Sequence, residues 1–183
     1  MNILELDWVL SESKVVIKDR WIHLRADTCS MPDGTVVEPY YVLEYPDWVS
    51  VLAIDTEGRA ILVKEYRHGA ALKGLGLVGG VIDPKDASPE DAARRELEEE
   101  TGYMSVDFIC LGSGYANWAN QNNRIHYYLA QNSKLGGKAA FDPTEHCELI
   151  LADMSQLFEP GYLKQSFHLA NVFLAQKHLD GAK

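Results

Sequence analysis

The segment SPEDAARRELEEETG, residues 88–102, constrains the fold more than any other stretch, because both ends of a helix are written into it. Ser88 offers a side-chain acceptor for the first free N–H groups, Pro89 suits the first helical position, and Glu90 and Asp91 sit at the positive end of the helix dipole. Gly102 supplies the residue that stops it. Between these ends, Ala92, Ala93 and Leu97 form an inward stripe, while Glu96, Glu99 and Glu100, three and four apart, share a neighbouring face. Like charges at that spacing destabilise a bare helix, so the arrangement asks for a compensating cation. Arg95, four residues before Glu99, stands where it can hold a carboxylate in position, whereas Glu98 points away and is read as solvated. A donor set of oxygen only is that of Mg²⁺ or Mn²⁺, ions that leave positions open for water and substrate phosphate. A solvated acidic face is the ordinary reading of a glutamate run; Arg95 and the glycine-rich stretch GLGLVGGVID just before the helix argue against it.

The rest of the chain supplies strands for such a helix to cover. Residues from about Lys14 to Leu43 alternate apolar and polar around MPDGT, the pattern of a β-hairpin ahead of the main body. VSVLAI and AILVKEY, joined by DTEGR, read as a second strand pair, and FICLGSGYA, RIHYYLA and CELIL as further strands. An amphipathic helix is expected from about Lys164 to Leu179. The order gives an α+β fold, a mixed sheet with a helix on each side, since each helix has one apolar stripe to bury.

With 183 residues, one compact domain with a small attached element is expected, here a β extension over 1–45 and a main domain over 46–183. A formal net charge of −10 excludes a broad cationic surface for nucleic acid, leaving room for a local basic pocket that takes a small anion. MNILELDWVL lacks the basic start of a signal peptide and no apolar run is long enough for a bilayer span, so a soluble protein without membrane partners is expected. Cys29, Cys110 and Cys147 form no CxxC pair, which fits a reducing cytoplasm.

GGVIDPKDASPEDAARRELEEETGY resembles the signature of the Nudix hydrolase superfamily. Gly80 opens it and Arg95-Glu96-Leu97-Glu98-Glu99-Glu100-Thr101-Gly102-Tyr103 closes it with a full match. The first half departs: the signature glutamate falls at Asp86 counted forward from Gly80 and at Ala87 counted back from Arg95, so the loop is one residue longer. MPDGTVVEPYYVLEYPDWVSVLAIDTEGRAILVKEYRHG is similar to the branch that hydrolyses ADP-ribose and nucleoside diphosphate sugars. That likeness implies an α/β/α sandwich and a β extension that helps form a homodimer.

For the site, the resemblance implies that Glu96, Glu99 and Glu100 and the carbonyl of Gly79 hold divalent metal, with Gly80, Arg95 and Gly102 supporting them. Arg67 in EYRHG is the candidate for the diphosphate. A general base from a later loop is expected in FDPTEHCELI, with Glu145 favoured over Glu148 and His146 weaker than either. Where ADP-ribose-specific members carry a proline this chain has Trp118, which either stacks on a base or sugar or anchors its own loop. GLVGG also replaces the Glu-Leu-Pro-Ala-Gly of many members. The implied reaction is metal-dependent cleavage of a nucleoside diphosphate sugar, ADP-ribose or a hexose such as GDP-mannose, to a nucleoside monophosphate and a sugar phosphate. The alternatives are a non-catalytic sensor of such ligands and a hydrolase of other nucleoside diphosphate derivatives.

Overall fold

The computed structural model describes residues 7–139 and 147–181. They form two units, one of residues up to Pro46 together with Tyr115–Arg124, the other of Asp47–Gly114 and the residues from Ile125 onward.

The first unit is a three-stranded antiparallel sheet of β1 (Val9–Lys18), β2 (His23–Ser30) and β3 (Val36–Leu43), in that order. The expected two-stranded hairpin is thus one strand short. Its turn lies where MPDGT predicts, with Gly34 at φ 85°, a value that suits glycine. The turn between β1 and β2 escapes notice because it contains neither glycine nor proline. Asp19 makes it instead, its carboxylate accepting from the N–H groups of Trp21 (2.7 Å) and Ile22 (2.9 Å). All of β1 is exposed, and as the first strand in the order it has a neighbour on one side only among the described residues.

The second unit contains β4 (Trp48–Asp55), β5 (Arg59–Arg67), β6 (Leu72–Leu77), α1 (Pro89–Thr101), β7 (Tyr103–Met104), β8 (Asp107–Tyr115), β9 (Arg124–Leu135), β10 (Glu148–Asp153) and α2 (Ser166–Gly181). The sheet order is β10-β5-β4-β9-β7, with β6 on β5 and β8 on β9. β4 and β9 run parallel, while β5 is antiparallel to β4, β6 and β10, so the sheet is mixed as expected. The expected β4–β5 pair is brief: they meet only at Ala53 with Ile61 and Ile54 with Ala60. β4 instead pairs along most of its length with β9, a long-range partner that the turn between β4 and β5 cannot reveal. The glycine-rich run is a strand as far as Leu77, and Val78 continues along β4 by bridging Val51.

Strand alternation puts a helix on each face. Val49, Val51, Ala53, Ile61 and Val63 face the Ala92, Ala93 and Leu97 stripe of α1. Leu52, Leu62, Leu77 and Leu129 turn the other way and meet Val172 and Ala175 of α2. Leu97 is fully buried, so truncating it to alanine would cost about 2–5 kcal/mol. No described helix is long and apolar enough to cross a membrane.

Candidate active site

The ends of α1 form as its sequence dictates. Ser88 Oγ accepts from the Asp91 N–H at 3.1 Å, Pro89 opens the helix, and Gly102 at φ 72° closes it with its N–H on the Glu98 carbonyl. Fixing both ends fixes which face the glutamates present.

The paired glycines before α1 are required by contact. A Cβ at Gly79 would overlap the backbone carbonyl of Val49, because Val78 and Gly80 bond to β4 on either side. A Cβ at Gly80 would overlap the Glu96 carboxylate. Glu100 reaches the same loop, its Oε2 accepting from the Gly79 N–H at 3.2 Å.

Arg95 is the centre of the acidic face. Nε and Nη2 donate to the two oxygens of Asp86 (3.0 and 2.9 Å), Nη1 donates to Glu96 and Glu99 (both 2.8 Å), and Nη2 also donates to the Val81 carbonyl (3.0 Å). All five N–H groups of the guanidinium are used. Hydrogen bonds from Arg95 hold the Asp86 carboxyl below its usual range despite its burial, and Asp86 in turn raises the arginine. Asp86 thus takes two bonds from the signature arginine at the point where the sequence departs from the family pattern.

Asp86, Glu96, Glu99 and Glu100 carry four negative charges against the one positive charge of Arg95, a formal −3 for these five side chains. Among the described residues, no three His, Cys, Asp or Glu side chains gather into a ready coordination sphere. The donors nonetheless fit a hard divalent cation: they are all oxygen, in excess negative charge, with the Glu96 carboxylate in a space left by the missing Cβ of Gly80.

A cavity of about 670 Å³ opens beside this face. Gly79, Gly80 and Glu100 line it together with Arg67, whose guanidinium donates to Glu65 Oε1 through Nε (2.7 Å) and Nη2 (2.6 Å). Four of the expected site residues therefore meet around one space. Glu96 and Glu99 stand beside them on α1, Glu99 half exposed. Glu148 does not line the cavity; it lies in β10 opposite Lys64 and pairs with its ammonium at 3.1 Å. Trp118 belongs to the first unit, where it is 86% exposed. Glu145 and His146 lie outside the described residues.

The sequence reading missed Trp48, Lys164, Phe167 and His168 in the cavity lining. One signal pointed to two of them. In GLGL, residues 74–77, glycine at alternate positions strips one side of a strand of side chains, and the space is filled by Lys164 over Gly74 and His168 over Gly76.

Residues 44–170 match the NUDIX domain, and residues 8–43 match the nucleoside diphosphate sugar hydrolase N-terminal domain. The chain belongs to the NUDIX family. It is a hydrolase acting on pyrophosphate bonds. It is 28% identical over 183 residues to an ADP-ribose pyrophosphatase of Bacillus subtilis (strain 168), covering 91% of this chain and 98% of that one. It is 25% identical over 166 residues to a GDP-mannose pyrophosphatase of Pectobacterium atrosepticum, covering 82% and 85%. The crystal structure of an ADP compounds hydrolase superposes with a TM-score of 0.84 at 22% identity over 96% of this chain and 95% of that one, a likeness of fold. Members of the family generally use a divalent metal.

Proposed function

We propose that the chain hydrolyses the diphosphate link of a nucleoside diphosphate sugar, with Mg²⁺ or Mn²⁺ as cofactor, to a nucleoside monophosphate and a sugar phosphate. The observation that carries this is the shared cavity of Gly79, Gly80, Glu100 and Arg67, in which a carboxylate face and a guanidinium border a volume suited to a nucleotide-sized ligand. ADP-ribose and GDP-mannose are the substrates to test first, since relatives are named for them.

Glu96, Glu99 and Glu100 with the Gly79 carbonyl would hold the metal. A divalent ion bound there supplies Lewis-acid stabilisation of charge on the phosphate oxygens and makes water more acidic. Arg95 keeps Glu96 and Glu99 in place, and the Gly79 N–H does the same for Glu100. Arg67 binds the diphosphate by its guanidinium. Water bonds to one phosphorus, the bond from that phosphorus to the bridging oxygen breaks, and the bridging oxygen leaves on the second phosphate. Glu145 takes the proton of the attacking water. Glu148 is the second candidate, and its exposed pairing with Lys64 favours Glu145 over it. The sensor alternative would draw on the departure from the signature glutamate; against it, Asp86 at that point takes two hydrogen bonds from Arg95.

The test is product detection on ADP-ribose, GDP-mannose, other nucleotide sugars, a dinucleotide and nucleoside triphosphates, with Mg²⁺ or Mn²⁺ and with chelator. Cleavage of a nucleotide sugar that chelator abolishes is expected, with Glu100→Gln lowering kcat/KM on the order of 10²-fold or more. Metal-bound protein that cleaves none of them would return the sensor reading.

A homodimer formed through the first unit completes the proposal. It rests on the edge of β1 that pairs with no other strand among the described residues and on the exposure of Val9, Val15, Ile17 and nearby Trp21. Light scattering should give twice the chain mass. Cys29, Cys110 and Cys147 form no disulfide with one another, which fits a cytoplasmic setting.

A further inference from the structure

His168, in the first turn of α2, is 7% exposed and lines the cavity. Its ring is held on three sides. The Leu77 N–H donates to Nδ1 at 3.3 Å, Cε1 lies 2.8 Å from where a Cβ of Gly76 would stand, and the Phe167 ring meets it edge-on at 4.6 Å between centroids. A backbone N–H can only donate, so Nδ1 is an acceptor and the neutral ring carries its proton on Nε2. Burial, with the Arg67 charge nearby, keeps the ring neutral by pushing its pKa down to about 3.

Among the described residues nothing accepts from Nε2–H, yet this atom is not one of the side-chain nitrogens closed off from solvent without a partner. Its open side is therefore the cavity that the ring lines. An N–H donor of fixed tautomer, built into a wall and left for an incoming acceptor, is a recognition device.

The neighbours indicate which acceptor. Trp48 and Phe167, with centroids 6.2 Å apart, line the same space with Leu72 and Leu75. Aromatic and aliphatic walls suit the face of a flat heteroaromatic ring and do not suit a phosphate. Leu77 precedes Gly79 by two residues, roughly 7 Å along an extended strand, so the donor lies within a nucleotide's reach of the glycine loop. We propose that Trp48, Phe167 and His168 form a nucleobase subsite in which His168 Nε2–H donates to a ring nitrogen or carbonyl oxygen of the base. This rests on the diphosphate binding beside Gly79 and Glu100, and it places specificity for the base on α2 and β4.

Calorimetric titration of the full chain with AMP, GMP, CMP, UMP and ribose 5-phosphate tests it without turnover. At least one nucleotide should bind about tenfold or more tightly than ribose 5-phosphate, and His168→Gln and Phe167→Leu should each narrow that gap severalfold or more while leaving ribose 5-phosphate binding in place. With the unaltered chain, analogues of the preferred base that each lack one acceptor atom should bind equally well except for one, which should lose about tenfold. Equal binding of nucleotides and ribose 5-phosphate, an unchanged gap in both variants, or a flat analogue series overturns the proposal, as does no nucleotide binding at all. The analogue series decides alone if His168→Gln does not fold. Base-dependent binding without hydrolysis of any nucleotide sugar would remove the hydrolase reading and leave the subsite standing.

Discussion

α1 and α2 cover opposite faces of one sheet and do so by opposite means. α1 buries Ala92, Ala93 and Leu97 and turns its charges outward, where Arg95 gathers Asp86, Glu96 and Glu99. α2 buries His168 and Asn171 beside Val172 and Ala175, while Leu169 and Phe173 are exposed. α1 is therefore seated by apolar contact and is free to present chemistry on its outer side. α2 is seated partly by directed hydrogen bonds, which fix its rotation and with it the cavity wall that His168 provides.

The largest effect should come from Asn171. Its amide donates to the Ser50 carbonyl (2.8 Å), Ser50 Oγ (3.0 Å) and the Tyr128 carbonyl (3.3 Å), joining α2 to β4 and β9 with no exposure to solvent. Asn171→Asp would aim a carboxylate at oxygen atoms and should lower unfolding stability by about 3 kcal/mol or more in urea titrations. Glu98→Gln on the outer side of α1 should change it by less than about 0.5 kcal/mol. A change of under about 1 kcal/mol for Asn171→Asp would mean that α2, like α1, is held mainly by its apolar residues.

On α1 the sensitive property is activity. Arg95→Lys keeps the charge and loses the planar fork that serves Asp86, Glu96 and Glu99 together. On whichever nucleotide sugar proves to be the substrate, kcat/KM should fall about 10- to 100-fold, equivalent to about 1.4–2.7 kcal/mol. The loss of unfolding stability should be smaller than that. If the variant keeps its activity, the carboxylates are positioned by something other than the guanidinium.

The same contrast governs what could be read from the sequence. α1 was legible in full because caps, apolar stripe and acidic face are all local patterns, each a few residues long. The role of Asp86 was not, since its bonds to Arg95 depend on the path of a loop one residue longer than the family pattern. α2 was legible as a helix from about its true start, but not as a cavity wall. A histidine and an asparagine on its inner face look like breaks in amphipathicity until Leu77, Ser50 and Tyr128 are beside them. β1 and β6 were overlooked for a related reason, one turn being made by an aspartate and the other strand being one-third glycine.

The smallest predicted effect concerns acid, and it divides the helices by charge. In the unfolded chain a histidine takes up its proton near pH 6.5, whereas folded His168 resists it until about pH 3. Between those limits the unfolded state binds more protons, so stability falls as pH falls, by up to about 1.4 kcal/mol per unit. Asp86 is shifted downward as well, but as an acid its contribution is present above the ordinary carboxylate range and is lost only below it, as the folded carboxyl takes up its proton. The seat of α2 should thus weaken from about pH 6.5 downward, while the Asp86–Arg95 support of α1 holds to below about pH 4. Urea unfolding at pH 7.5 and 5.5 should show a loss about 1.4 kcal/mol larger in the native chain than in His168→Gln. Equal losses would mean that other groups set the acid response and that the two helices differ in packing but not in their dependence on charge.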